Sequence, residues 1–137
     1  MASLQGTVYV IDDDDSVRKA FERLLRSANI KVETFSGVDE FLDEKRHGDN
    51  ACVIVDLRMP GATGFDLQRE LTSQGIRMPV IVISASDDAQ TREQARRLGA
   101  TAFFRKPIDD QALLDAVWWA ISGTKPENEQ YSKGYGE

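Results

Sequence analysis

The chain has 137 residues, 41% of them apolar and 29% charged, with a formal net charge of −6 and one cysteine. That length suits a single domain with one sizeable core, and the composition is ordinary for a soluble globular chain. The negative balance argues against direct nucleic acid binding by this segment, the lone thiol excludes an internal disulfide, and no apolar run nears the ~20 residues of a membrane helix.

The opening MASLQGT lacks the basic region and apolar stretch of a secretory signal, so a cytoplasmic protein is expected. The first β-rich run is TVYVID, residues 7–12. Four consecutive aspartates, Asp12 to Asp15, end it. A helical stripe follows through Val17, Ala20, Phe21, Leu24, Leu25 and Ala28, with Arg18, Lys19, Glu22, Arg23 and Arg26 mostly on other faces. IKVETF, residues 30–35, sets Ile30, Val32 and Thr34 against Lys31, Glu33 and Phe35, an alternation that suits an edge strand. Ser36-Gly37-Val38-Asp39 resembles an S-x-x-D capping box and opens a second helix carrying Val38, Phe41 and Leu42. His47, the only histidine, falls in the polar segment EKRHGD and is expected at the surface.

ACVIVD, residues 51–56, and PVIVIS, residues 79–84, are nearly continuous Val/Ile runs, the mark of strands buried on both faces of a parallel sheet. Cys52 then reads as a small buried hydrophobe. Between the two runs a third helix extends from about Gly64 to Gln74 through Phe65, Leu67 and Leu71. A fourth opens at Asp87-Asp88-Ala89-Gln90 and ends at Leu98-Gly99, where Gly99 is a natural left-handed cap. TAFFR, residues 101–105, is the last strand candidate. The fifth helix begins near Asp109 and carries Leu113, Ala116, Val117, Ala120 and Ile121 on one side. From Ser122 the chain reads SGTKPENEQYSKGYGE and loses apolar periodicity, so a domain over residues 1–121 and a linker or tail over 122–137 are expected.

Five repeats of strand then helix imply an α/β domain with a parallel sheet and helices on both faces. Ligand sites in such sheets lie beyond the C-terminal strand ends. The first strand ends in Asp12-Asp13, the third in Asp56, the fourth in Ser84, and the fifth leads into Lys106. Parallel strands would deliver all of these to one rim. Taken alone, the aspartate run is either a solvated strand end or part of a cation site. Carboxylates ~4 Å apart in a partly buried place repel by ~4 kcal/mol per pair at an effective dielectric of ~20. Either a pKa rises or a cation sits among them, and oxygen-only ligands favour a hard ion such as Mg²⁺. With an ammonium, a hydroxyl and one carboxylate nucleophile, that set amounts to a phosphoryl-acceptor site.

The motifs IDDDDSVRK, VDLRMPGATG, VISAS and FFRKP, in this order and spacing, resemble the receiver domains of two-component response regulators over residues 7 to 121. DLRMPG is most similar to receivers of the nitrogen-fixation and styrene-pathway regulators, which add a helix-turn-helix domain. The resemblance implies a flavodoxin-like (βα)₅ fold with strand order 2-1-3-4-5. It makes Asp56 the phosphoacceptor, Asp13 a direct Mg²⁺ ligand, Asp12 a ligand partly through water, and the Arg58 backbone carbonyl a further one. It implies that Ser84 is a switch hydroxyl, that Lys106 pairs with the phosphoryl group, and that the Lys106–Pro107 bond is cis. Phe103 would be the aromatic whose rotamer follows the switch, and Phe104, facing the other way, would be core. Arg58 and Ser86 would flank the phosphorylated residue and influence its lifetime, or be plain polar surface. Asp14 and Asp15 match no metal position and are expected to cap the first helix.

The implied partner is a sensor histidine kinase, with control of transcription through an effector domain outside this segment. A homodimer through the fourth helix, fifth strand and fifth helix is a further expectation. On the last helix Trp119 is expected to be exposed, either as part of that surface or beneath the tail. The domain would catalyse only its own phosphorylation and slow dephosphorylation, and so is not expected to be an enzyme in the usual sense. Three rivals fit worse, one of them a phosphate-independent receiver that only docks, which the complete acidic set opposes. A haloacid-dehalogenase-type phosphatase needs D-x-D where this chain has Asp56-Leu57-Arg58, and a flavin carrier needs a phosphate loop that four aspartates would repel.

Overall fold

β-branched residues suit a pleated surface better than a helix, and here they fill the central strands of a sheet. The computed structural model describes residues 6–44, 50–86 and 88–123. His47, Asp87 and the expected tail beyond Gly123 lie outside the described residues. In chain order the elements are β1 (Thr7–Ile11), α1 (Asp15–Ser27), β2 (Lys31–Phe35), α2 (Val38–Glu44), β3 (Ala51–Asp56), α3 (Gly64–Ser73), β4 (Val80–Ser84), α4 (Ala89–Arg97), β5 (Ala102–Arg105) and α5 (Asp110–Ser122). The strands form one parallel sheet in the order β2-β1-β3-β4-β5. This is the expected flavodoxin-like architecture. Every residue of β3 and β4 is buried, whereas β2 is mixed, as an edge strand should be.

Each face of the sheet has its own apolar layer. Tyr9, Ile11, Val53, Val55, Val82 and Phe103 meet α2, α3 and α4 through Phe41, Leu67, Leu71 and Ala95. Val8, Val10, Cys52, Ile54, Ile81 and Ile83 meet α1 and α5 through Phe21, Leu25, Leu113, Val117 and Ile121. Tyr9 and Phe35 each lie 5.3 Å or 6.1 Å, centroid to centroid, from their ring neighbours in a cluster with Phe41. Cys52 is fully buried, and burial pushes its thiol up to about 12, so it packs as a hydrophobe.

Several local details depart from expectation. Ala20 and Ala28 are exposed, so the buried face of α1 is narrower than its apolar stripe. Ser36 forms no box with Asp39; its N–H and hydroxyl bind the Glu40 carboxylate at 2.8 and 3.0 Å. The helix starts at Val38, so Glu40 is the third residue of its first turn and the one able to reach back. Asp14 caps α1 as expected, accepting the Ser16 and Val17 N–H groups at 2.8 and 3.2 Å, while Asp15 sits inside the first turn. Gly99 and Gly123 take left-handed φ values of +93° and +72° just past α4 and α5.

The largest departure concerns the tryptophans. Trp118 is the exposed one, at 45%, and Trp119 is half-buried. Both flank the buried stripe of α5, on opposite sides. The helical period cannot say which side a neighbouring element covers.

Candidate functional site

The register of the sheet puts the chemistry on one edge. Ile11 pairs with Val55, Asp56 with Ile83 and Ser84 with Arg105, so β1, β3, β4 and β5 end level with one another. Asp12 follows β1, Asp56 ends β3, Ser84 ends β4 and Lys106 follows β5. Carboxylate oxygens of Asp12, Asp13 and Asp56 all lie within 4.8 Å of one another, with Asp12 and Asp56 buried and Asp13 exposed. Lys106 Nζ donates to Asp56 Oδ2 at 2.8 Å and stands 3.6 Å from Asp12 Oδ2. The Lys106–Pro107 peptide is cis.

Electrostatics follow from that crowding. Burial, reinforced by the negative charge of Asp56, raises the Asp12 carboxyl above its ordinary value despite the Asp14 N–H and the nearby ammonium. For Lys106, burial pulls the pKa down, but the hydrogen bond to Asp56 and the attraction of both carboxylates win, and the net direction is up. Its ammonium stays charged. Asp12 Oδ1 accepts the Asp14 N–H at 2.9 Å, whereas Oδ2 is buried with no hydrogen-bond partner. An all-oxygen donor set, with one buried oxygen that has no hydrogen bond and only the Lys106 charge 3.6 Å away, fits a hard divalent cation such as Mg²⁺.

The other expected residues join the rim in different ways. Arg58 donates its backbone N–H to Asp56 Oδ1 at 3.0 Å, which turns the chain at the end of β3. Ser84 is fully buried, and its hydroxyl oxygen accepts the Ser86 N–H at 3.0 Å. Ser86 in turn donates to Asp88 at 3.1 Å, tying this loop to the N-terminal cap of α4. Phe103 lies away from the carboxylates, 1% exposed in the core, with the Arg92 guanidinium 5.1 Å over its ring. Phe104, expected to be core, is only half-buried on the opposite face. β5 neighbours β4 alone, so no strand covers the ring from its outer side.

Sequence reasoning missed two further residues. Arg18 was placed among the polar positions of α1, yet its Nη1 donates to the Asp12 carbonyl at 2.6 Å and its Nη2 pairs with Asp15. Its spacing of three residues from Asp15 was the available signal. Gln68 is buried on α3 and donates to the Ala95 carbonyl of α4 at 3.2 Å, while its Oε1 has no partner. Beside Lys106 a groove of about 240 Å³ is lined by Val17, Phe21 and Leu24 of α1 together with Pro107 and Ile108.

This geometry agrees with a wider comparison. The family model described as the response regulator receiver domain matches residues 8–118. The chain belongs to that family. Among its relatives, the transcriptional regulatory protein TdiR of Thauera aromatica is 42% identical over 117 residues, covering 85% of this chain and 52% of TdiR. FixJ of Azorhizobium caulinodans is 37% identical over 123 residues, covering 90% of the receiver and 58% of FixJ. The solved structure of the response regulator StyR matches with a TM-score of 0.80 at 41% identity, over 86% of this receiver and 60% of that chain. The receiver thus spans a little over half the length of the curated relatives it matches, and those relatives are transcriptional regulators. No helix among its described residues is long and apolar enough to cross a membrane.

Proposed function

We propose that this receiver takes a phosphoryl group onto Asp56 from the phosphohistidine of a sensor histidine kinase, and that the modified domain switches an output surface. The observation that carries the proposal is the meeting of three carboxylates with the Lys106 ammonium, 2.8 Å from Asp56, at one end of the sheet.

Asp12, Asp13 and Asp56, with the Arg58 backbone carbonyl, are the residues that would hold Mg²⁺. When bound, the ion neutralises the equatorial oxygens of the transferring group. An Asp56 carboxylate oxygen attacks phosphorus, the phosphorus–nitrogen bond to the donor imidazole breaks, and the imidazole keeps the electron pair. Lys106, held charged by its two carboxylate neighbours, shifts its hydrogen bond from Asp56 to the arriving phosphoryl oxygens. Ser84 then turns its hydroxyl from the Ser86 N–H toward the phosphoryl group, and Phe103 follows beneath Arg92. The groove that Lys106 helps to line is mostly apolar surface, which the donor kinase would cover.

Homodimerisation through the face of α4, β5 and α5 belongs to the same proposal, with no direct nucleic acid contact by this segment. The domain acts in the cytoplasm and turns over no external metabolite; it is a phosphoacceptor rather than an enzyme in the usual sense. Transcriptional output comes through an effector domain of the kind that extends its relatives.

The test is incubation of wild type and Asp56→Ala with acetyl phosphate, with and without Mg²⁺, followed by intact mass. Wild type should gain one phosphoryl group only when Mg²⁺ is present, and the variant none. Equal labelling of the variant removes Asp56 from its role, and labelling without metal removes the carboxylate pocket.

A further inference from the structure

We infer that Arg18 is the positioning residue of the carboxylate pocket: it clamps the turn between β1 and α1 so that Asp12 and Asp13 face the divalent ion. The identity of the ion rests on the phosphoacceptor reading above.

Arg18 lies four residues past the Asp14 cap, yet its side chain is only 18% exposed. One nitrogen of the guanidinium reaches back to the Asp12 backbone carbonyl at 2.6 Å, and the other pairs with Asp15. The Asp12 N–H still belongs to the sheet, donating to the Phe35 carbonyl at 3.1 Å. With that N–H bonded to β2, the Asp12 carbonyl is the group that orients the next peptide plane. That plane joins Asp12 to Asp13, so fixing it fixes where both side chains leave the backbone. On the other side of the turn the Asp14 N–H holds Asp12 Oδ1 at 2.9 Å. Asp12 is therefore held at both its backbone carbonyl and its carboxylate, and the Asp13 peptide lies between the two holds. A planar fork suits the task, because it can donate in two directions at once, whereas an ammonium is a single point.

Charge alone predicts the opposite sign from positioning. Removing a cation bonded to the turn that carries two of the three carboxylates should tighten the binding of a divalent ion. Losing the clamp should weaken it, as losing outer-shell partners of metal ligands does, by roughly tenfold or more.

The experiment titrates Mg²⁺ alone into wild type, R18A and R18K, following the amide resonances of Asp13 and Arg58 well below the melting temperature. Thermal melts of each variant accompany it, so that a general loss of stability is seen separately from native-state affinity. The expected result is R18A weaker by roughly tenfold and R18K between it and wild type. R18A binding as tightly as wild type, or more tightly, overturns the inference. Should R18A not fold, R18K decides, and wild-type affinity there overturns the inference too. A wild type that shows no Mg²⁺ response overturns the phosphoacceptor reading and takes this inference with it. A wild type that binds alongside variants that bind equally well removes the Arg18 role alone.

Discussion

At the scale of single residues, Asp12 is a buried carboxyl whose charged form the site disfavours. Its folded pKa is raised, chiefly by burial, so its ionisation opposes folding. A carboxyl with a raised folded pKa contributes stability below its ordinary value of 3.8 and loses that contribution as pH climbs through the folded value. At neutral pH without metal, Asp12 is therefore a net cost, and Asp12→Asn should raise the melting temperature. The gain should vanish below about pH 3.8, and Mg²⁺ should stabilise wild type more than the variant. Melting curves at acid and neutral pH, with and without Mg²⁺, check all three. Asp12, Asp56 and Lys106 were legible in the sequence because strand ends of a parallel sheet share one edge, whatever lies between them. Arg18 was legible only as an i,i+3 partner of Asp15, since its bond back to the Asp12 carbonyl leaves no periodic trace. Phe103 and Phe104 were separable by strand alternation, but how much of each is covered depends on helices that the alternation does not describe.

At the scale of elements, the four aspartates divide between two tasks. Asp14 accepts two N–H groups of the first turn of α1, whereas Asp13 stands with the pocket. Asp14→Ala should cost about 1 kcal/mol of stability and leave Mg²⁺-dependent phosphorylation intact. Asp13→Ala should do the reverse, with near-native stability and poor labelling. Denaturant unfolding and intact mass separate the outcomes, and a variant that fails both assays would blur the division. Helix starts were otherwise readable from Asp88 and Asp109, which accept the Thr91 and Ala112 N–H groups at 2.7 and 2.8 Å. The start of α2 was misread by one residue, and the box that opens α3, Thr63 with Asp66, escaped notice. Capping patterns recur by chance in any polar loop, and only the true first turn says which acid can reach back.

At the scale of the whole molecule, the fold was legible from the Val/Ile runs and the alternation of strand and helix, because burial on both faces leaves few other arrangements. Surfaces were less so, as the exchange of Trp118 for Trp119 shows. The dimer proposed through α4, β5 and α5 is still tested at Trp119, whose half-buried ring lies across the α5 stripe from the exposed Trp118. Trp119→Ala should shift a beryllofluoride-loaded sample toward monomer in sedimentation, and an unchanged equilibrium would count against that face. One further feature sets how a small chemical event could spread. Of the residues of α4 only Ala95 is buried, while α5 buries Leu113, Ala116, Val117 and Ile121. Displacing α4 therefore withdraws one fully buried side chain of its own and the cover it gives Phe103 and Gln68, whereas moving α5 would withdraw four. Its loop is also the one tied, through Ser86 and Asp88, to the buried hydroxyl of Ser84. Amide protons of α4 should exchange with deuterium well before those of α5. The lightest-moored helix sits where the phosphoryl group would pull, so a nudge of a few kilocalories could be spent on motion instead of on tearing open a core.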